Sequence, residues 1–209
     1  MNTERWIAKK IVFIFNPLFT SVYAFIYYLL LMVLFSNGYR DALSIVLKSI
    51  TLYTLVSCLF PIFIIYLLND SSFHNIEENL KNSNTSYVIV CVSYLVSYMY
   101  FSMLNISVWF NMGLLIPVYA SLISLVLRKK TTIIYEIVII GAITFYVFLL
   151  TIQYYYIFSI FPLLISIFCS GLLLYSYLIQ NLYTANETLH NYLIGCLLTI
   201  LIMFFVLII

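Results

Sequence analysis

Seven long apolar runs, separated by short polar segments, occupy most of this 209-residue chain. Hydrophobic residues make up 65% of the sequence and charged residues only 8%. A water-soluble domain of this size would leave much of that apolar surface exposed to water. A bilayer core of roughly 30 Å needs about 20 apolar residues per helix, and backbone groups inside it must form hydrogen bonds within the helix. The sequence therefore predicts an all-α, polytopic membrane helical bundle of six to seven transmembrane helices.

The predicted transmembrane runs are bounded by charged or turn-forming residues. In chain order they cover residues 18–35, 47–68, 87–104, 113–127, 133–152, 157–179 and 192–209. The polar segment 69–86 is the longest interruption, and no other segment has the composition of a linker between domains. We therefore expect a single domain over residues 1–209.

Lys and Arg are distributed unevenly between the two sides that alternate along these runs. The N-terminal segment and the polar segments 69–86, 128–132 and 180–191 fall on one side. Their seven basic residues are Arg5, Lys9, Lys10, Lys81, Arg128, Lys129 and Lys130, against Arg40 and Lys48 on the other side. The positive-inside rule predicts a cytoplasmic N-terminus. We expect no cleavable secretory signal and a location in a bacterial inner membrane.

One ionisable residue, Glu136, lies about one helical turn into the fifth run. An ionisable group at membrane depth indicates a functional site by default, because burying its charge is costly. Two interpretations stay open. Glu136 pairs with Lys129 or Lys130 near the lipid head groups, or it lines a polar cavity between helices.

Glu187 and His190 have the spacing Glu-x-x-His, which places both on one face of a helix. Di-metal carboxylate bundles use two such pairs and further glutamates. This chain has one pair, so no metal site is predicted. Capping or solvation of the start of the seventh helix is the preferred interpretation, with Asn186 or Thr188 as its N-cap.

The basic triplet Arg128, Lys129 and Lys130 also has two interpretations. It stops the fourth run at the cytoplasmic surface, or it binds an anionic lipid head group or a phosphate. Isolated glycines and scattered cysteines indicate neither a phosphate loop nor a cofactor, and nothing indicates nucleic-acid binding. The candidate ligand-binding residues are Lys81, Arg128, Lys129, Lys130, Glu136, Glu187 and His190.

The order of these segments resembles the integral-membrane type 2 phosphatidic-acid phosphatase superfamily, particularly its compact Bacteroidetes form. A His-Pro-Leu-Leu element opens the first helix of that form, and residues 15–19, Phe-Asn-Pro-Leu-Phe, stand in its place. Later segments of the chain are also similar to that form in their order and in the general character of their residues. They are residues 59–68, the polar loop after them, residues 87–101 and the ending from Asn186 to Gly195. The resemblance implies three polar segments that meet on one membrane face, where basic residues hold a phosphate. One histidine would attack phosphorus and another would protonate the leaving group.

The residues at the motif positions depart from that pattern. Asn84 and Tyr87 stand where the first motif has Arg and Pro, and Thr131 and Tyr135 stand where the second has Lys and His. Gly141 keeps one glycine of the family. Gln180 replaces the arginine of the third motif, and Asn186 replaces its nucleophilic histidine. Asparagine cannot form a phosphohistidine, and glutamine cannot replace a bidentate cation.

Three functions therefore compete. The first is a non-catalytic relative, a pseudoenzyme, that binds or presents a lipid phosphate in envelope lipid metabolism. The second is a structural or assembly subunit whose helices pack against another membrane protein. The third is a divergent lipid-phosphate phosphatase built on Glu136, Glu187, His190 and the basic triplet. The expected partners are membrane lipids and, for the second function, another membrane protein.

Overall fold

In a computed structural model of the protein, the described residues are 2–14, 48, 51–69, 84–103, 108–127, 132–154 and 160–208. Within these ranges all regular structure is helical and no strand occurs, which confirms the all-α class. The elements are α1 (Asn2–Ile14), a π-helical turn (Leu55–Leu59), α2 (Phe60–Asn69), α3 (Asn84–Met103), α4 (Val108–Leu127), α5 (Tyr135–Tyr154), α6 (Ile160–Ile179) and α7 (Ala185–Ile208).

Four of the described helices are long and apolar enough to cross a membrane. These stretches are Thr85–Met103 in α3, Tyr135–Ile152 in α5, Ile160–Ile179 in α6 and Ala185–Phe204 in α7. Shorter apolar helices cover Thr51–Ile64 and Gly113–Leu127. The predicted first run, 18–35, lies outside the described residues, so a total of about seven transmembrane helices stays a prediction.

Residue contacts divide the chain into two compact units. The first unit comprises Met1–Thr20 and Val126–Ile209, and the second comprises Ser21–Leu125. Helices α1, α5, α6 and α7 belong to the first unit, and α2, α3 and nearly all of α4 belong to the second. The expectation of one domain stays a prediction, and each unit is described by itself.

In the second unit, α3 packs against the π-helical turn and α2. Three almost fully buried aromatic rings lie in this part of the unit. The centroid of the Tyr53 ring lies 6.3 Å from that of Tyr94 and 6.0 Å from that of Phe101. The buried hydroxyl of Ser57 donates to the carbonyl of Tyr53 at 2.6 Å, so its polar atom is satisfied within its own helix.

In the first unit, α5 is the central helix and contacts both α6 and α7. The consecutive residues Ile137, Val138 and Ile139 are all fully buried. A surface helix buries one stripe, whereas burial of consecutive residues means that α5 is covered on several sides. The apolar sequence of α5 therefore serves contacts within the protein as well as any contact with lipid.

The contact between α5 and α7 brings the two backbones together. A Cβ atom built on Gly195 would lie 2.1 Å from the carbonyl oxygen of Val138. One built on Gly141 would lie 2.4 Å from the carbonyl oxygen of Tyr192. Real Cβ atoms do not approach backbone oxygens so closely, and small residues are the usual means by which membrane helices pack at this distance. Glycine at these two positions is therefore a condition of the α5–α7 contact.

Hydrogen bonds across the α5–α7 contact keep a constant register. The backbone N–H of Ile134 donates to Oδ1 of Asn191, and Oγ1 of Thr199 donates to the carbonyl of Ala142, both at 2.9 Å. The partners in both bonds are 57 positions apart. A constant separation means that α5 and α7 are parallel and begin at the same end of the unit.

Helix α1 packs on α6 and was not predicted from the sequence. It contributes to a buried apolar cluster formed where α5 begins and α6 ends. The cluster contains Val12, Ile134, Ile137, Ile140, Leu173 and Tyr177, with Leu174, Tyr183 and Tyr192 packed against it. The helix is short and carries three cations and a carboxylate, so it lacks the long apolar run that indicates a transmembrane helix.

We expect Gly195→Ala to destabilise the purified protein by about 1–3 kcal/mol, because the added methyl group overlaps backbone atoms that cannot rotate away. The matched control is Gly171→Ala, since a Cβ at Gly171 has nothing within 4 Å. The control is expected to be neutral or to stabilise α6 by about 0.5–1 kcal/mol, because alanine has the higher helix propensity. Unfolding in detergent measures both, and equal stabilities would contradict the backbone contact.

Candidate functional site

A network of polar side chains lies where α5 and α7 begin. It consists of Thr132, Thr184, Glu187 and Asn191, and is here called the polar cluster. Thr132 precedes α5, whereas the other three lie at or near the start of α7. Oγ1 of Thr132 donates to Oε1 of Glu187 at 3.0 Å, which connects the two segments directly.

Thr184 and Glu187 form a capping box at the N-terminus of α7. The backbone N–H and Oγ1 of Thr184 both donate to Oε2 of Glu187 at 2.9 Å. In return, the N–H of Glu187 donates to Oγ1 of Thr184 at 3.3 Å. This reciprocal pattern satisfies two backbone N–H groups at the start of the helix. Of the two alternatives for the Glu187–His190 pair, capping or solvation of the helix start, Glu187 takes part in capping and His190 is exposed.

The predicted N-caps Asn186 and Thr188 are wrong. Helix α7 begins at Ala185, seven residues before the predicted apolar run, and Thr184 is its N-cap. Asn186 is exposed in the first turn. Oγ1 of Thr188 donates to the carbonyl of Ala185 at 2.8 Å, inside the helix. The Thr-x-x-Glu spacing at 184–187 was the available sequence signal for this cap.

Asn191 is buried, at 2% exposure, and holds the segment before α5. Its Oδ1 accepts from the N–H of Ile134, and its Nδ2 donates to the carbonyl of Thr132 at 3.0 Å and to that of Glu187 at 2.8 Å. Both amide hydrogens and one lone pair are therefore used. Sequence reasoning missed Asn191, because a single asparagine in a polar segment carries no motif.

The turn between α6 and α7 begins at Gln180. Its Nε2 donates to the carbonyl of Ser176 at 3.2 Å and so caps the end of α6. Asn181 has a φ of 53°, a left-handed conformation that asparagine tolerates better than most residues. The N–H of Asn181 donates to the carbonyl of Leu178, and that of Leu182 to the carbonyl of Tyr177. This is a Schellman motif, and it fixes the direction in which the chain enters α7.

The polar cluster is a structural network. Glu187 accepts three hydrogen bonds within it, and the donors of Asn191 are all directed to backbone carbonyls. Each bond joins a helix end to its own cap or to the neighbouring segment. The side chains therefore hold the starts of α5 and α7 together, and their bonding capacity is largely spent in doing so.

The other predicted site residues have separate environments. Tyr135 and Glu136 form the first turn of α5 and are buried, whereas His190 is exposed on α7. Asn84 is the first residue of α3, in the second unit. Pairing of Glu136 with Lys129 or Lys130 falls outside the described residues, as do the residues Lys81, Arg128, Lys129 and Lys130.

Three of the six altered motif positions, Tyr135, Gln180 and Asn186, lie at one end of the first unit, on the segments of the second and third motifs, whereas Asn84 of the first motif lies in the second unit. The Thr132–Glu187 hydrogen bond joins these two segments, and the turn at 180–184 connects Gln180 to the start of α7. Within the described part of the chain, no group of three or more His, Cys, Asp or Glu residues is placed to hold a metal ion. The four cysteines are unbridged, and Cys58 and Cys91 are buried.

The fold and the site define an all-helical protein with helices of membrane-spanning length, in which parallel helices are joined at their starts by a capping network. Comparison of the chain with protein-family models, curated proteins and solved structures finds no match. The resemblance to the type 2 phosphatidic-acid phosphatase superfamily therefore rests on the sequence alone.

We expect Asn191→Ala to destabilise the purified protein by about 2–3 kcal/mol, because the buried N–H of Ile134 loses its acceptor and carbonyls lose their donors. The same substitution at the exposed Asn186 should change stability by less than about 0.5 kcal/mol. Thermal unfolding in one detergent compares the two variants. A smaller loss at Asn191 than at Asn186 would show that the network does not hold α5 to α7.

Proposed function

We propose that this protein is a non-catalytic integral membrane protein that binds a lipid phosphate head group at the polar end of the first unit. The observation that carries the proposal is the contrast between the two kinds of polar group at this end. The polar cluster is used for structure, while α1, which carries exposed cations, contributes Val12 to the apolar cluster at the same end. Such an end attracts a phosphate and offers no evident means of cleaving it.

The absence of catalysis is inferred from the groups that occupy the motif positions. Covalent phosphoryl transfer needs a nucleophile with an activating base, and cations around the equatorial oxygens. Asn186 and Gln180 supply neither a nucleophile nor a charge. The carboxylate of Glu187 is held by Thr132 and Thr184, so it is not directed at an incoming substrate.

Binding of a lipid phosphate is inferred from charge. Arg5, Lys9 and Lys10 are exposed on α1, which packs where α6 ends and α5 begins. In the sequence, the basic triplet Arg128–Lys130 directly precedes the segment that enters α5. Clusters of Lys and Arg beside membrane helices attract anionic head groups.

The mode of binding follows from the capping of the two helices. A helix N-terminus attracts anions when its N–H groups are unsatisfied. Here Ile134 donates to Asn191, and the start of α7 is closed by the capping box of Thr184 and Glu187. We therefore assign recognition of the phosphate to basic side chains rather than to helix N-termini. The proposal includes about seven transmembrane helices, a bacterial inner membrane and a cytoplasmic N-terminus.

The test compares a lipid phosphomonoester with a phosphodiester of equal tail length. Purified protein is loaded with phosphatidic acid or phosphatidylglycerol, and the retained lipid is measured by native mass spectrometry. We expect phosphatidic acid to be retained at least about fivefold better, and the variant R128Q/K129Q/K130Q to lose this preference, since each basic residue contributes about 1 kcal/mol.

The control variant Lys48→Gln removes an exposed lysine in the second unit and should keep the preference. Phosphate release is measured in the same samples. Equal retention of the two lipids would contradict the lipid-phosphate site. Release of phosphate from phosphatidic acid would instead support the divergent phosphatase.

A second candidate function, a subunit that packs against another membrane protein, is favoured by one observation on α6. Gly171 is exposed and has open space where a Cβ would lie, and the exposed rings of Phe168 and Tyr175 flank it on the same side. An exposed glycine lets a partner helix approach closely. Purification in mild detergent tests this function, because Gly171→Leu should abolish a specific association, whereas a solitary wild-type monomer would contradict it.

A further inference from the structure

The exposed surface of α1 changes in character around the helix. Ala8 and Val12 are buried against the first unit. With about 3.6 residues per turn, Trp6 and Lys10 lie on the opposite side of the helix. Arg5 and Lys9 occupy one flank between these two sides, and Ile7 occupies the other.

Trp6 is the centre of this surface. Its side chain is 60% exposed, and Nζ of Lys10 lies 4.7 Å from the centroid of its ring. A lysine over a tryptophan face is stabilised by the ring quadrupole. The pair therefore combines an aromatic plane and a cation at a single point on the surface. Ile7, on the neighbouring flank of the helix, is 49% exposed, so an apolar side chain lies next to the aromatic ring.

Around the circumference of α1, the exposed side chains change from basic to aromatic to apolar. The layers at a membrane surface change in the same order with depth. Basic side chains favour the head groups, tryptophan favours the boundary, and aliphatic side chains favour the acyl chains. The three cations Arg5, Lys9 and Lys10 and the single carboxylate Glu4 leave α1 with a net charge of +2. The complementary surface is negatively charged.

We propose that the exposed face of α1, formed by Arg5, Trp6, Ile7, Lys9 and Lys10, is a docking surface for the anionic head-group layer of the membrane in which the protein sits. The depth of α1 agrees with this assignment. Val12 packs with Tyr177, which lies two residues before the end of α6, or about 3 Å along the helix axis. Helix α1 therefore sits near the end of an apolar helix of membrane-spanning length.

This surface acts on bulk lipid and goes beyond the proposed lipid-phosphate site, because it requires only a negatively charged leaflet. The contact between α1 and the membrane therefore depends on the surface charge of the leaflet. Electrostatic attraction of this kind falls off within a Debye length and weakens with added salt.

The two tryptophans of the chain, Trp6 and Trp109, make a direct test possible. The variant Trp109→Phe leaves Trp6 as the only tryptophan, and the full chain is reconstituted in nanodiscs. Quenching of Trp6 by aqueous acrylamide is measured in phosphatidylcholine discs and in discs that also contain phosphatidylglycerol. We expect at least about twofold less quenching in the anionic discs at low salt, and loss of the difference at high salt.

Two charge variants in this background have opposite expected effects. R5Q/K9Q keeps the Lys10–Trp6 pair and should remove most of the lipid dependence, since each basic residue changes interfacial occupancy about fivefold. E4Q makes the same helix more positive and should increase the dependence. K48Q, outside α1, is the matched control and should leave it unchanged.

Equal quenching in both discs, or the same response of R5Q/K9Q and E4Q, would overturn the proposal. Since phosphatidylglycerol is a phosphodiester, this experiment can fail while selective retention of phosphatidic acid succeeds, and the converse also holds.

Discussion

The glycine contact between α5 and α7 is the constraint on which the rest of the first unit depends. Because backbone meets backbone at Gly195 and Gly141, the two helices are held in one register, and their N-termini lie at the same end. Parallel helices bring together two positive dipole ends, which repel. The carboxylate of Glu187 accepts from Thr184 at the start of α7 and from Thr132 before α5. One negative charge therefore offsets the cost that the parallel arrangement creates.

The same constraint explains why the polar residues of this end are structural. Once α5 and α7 are parallel, the N–H of Ile134 and the carbonyl of Thr132 lie beside the start of α7, whose own first N–H groups are unpaired within the helix. The groups beside the buried Asn191 need partners, because an unsatisfied polar group in such a place is costly, whereas those beside Thr184 and Glu187 are exposed. Asn191 and Glu187 supply those partners. A side chain that is held by these hydrogen bonds cannot also move toward a substrate. We therefore assign the recognition of any ligand to exposed cations rather than to the polar cluster.

The sequence predicted the apolar centres of the described helices better than their polar beginnings. The fifth run was placed within two residues of α5 at either end, because its apolar content changes sharply at both. Helix α7 begins seven residues earlier than predicted, since its first two turns are polar and are stabilised by the capping box at Thr184 rather than by burial. Helix α1 was missed because Ala8 and Val12 are the only two buried residues among those of its side chains that the structure describes, residues 4–12. The role of Asn191 depends on a partner 57 positions away, which no local pattern records.

The meeting of the second and third motif segments at one end of the first unit has a simple geometric cause. Helices α5 and α7 are parallel, and a turn of five residues joins α6 to α7. The end of α6 must therefore lie beside the start of α7, and the start of α5 follows from the glycine contact. Any protein with this connectivity brings the corresponding segments together, whatever its function. Co-location alone is thus weak support for a phosphatase-like origin, and charge is the stronger criterion, because no rule of helix packing requires three exposed cations on α1.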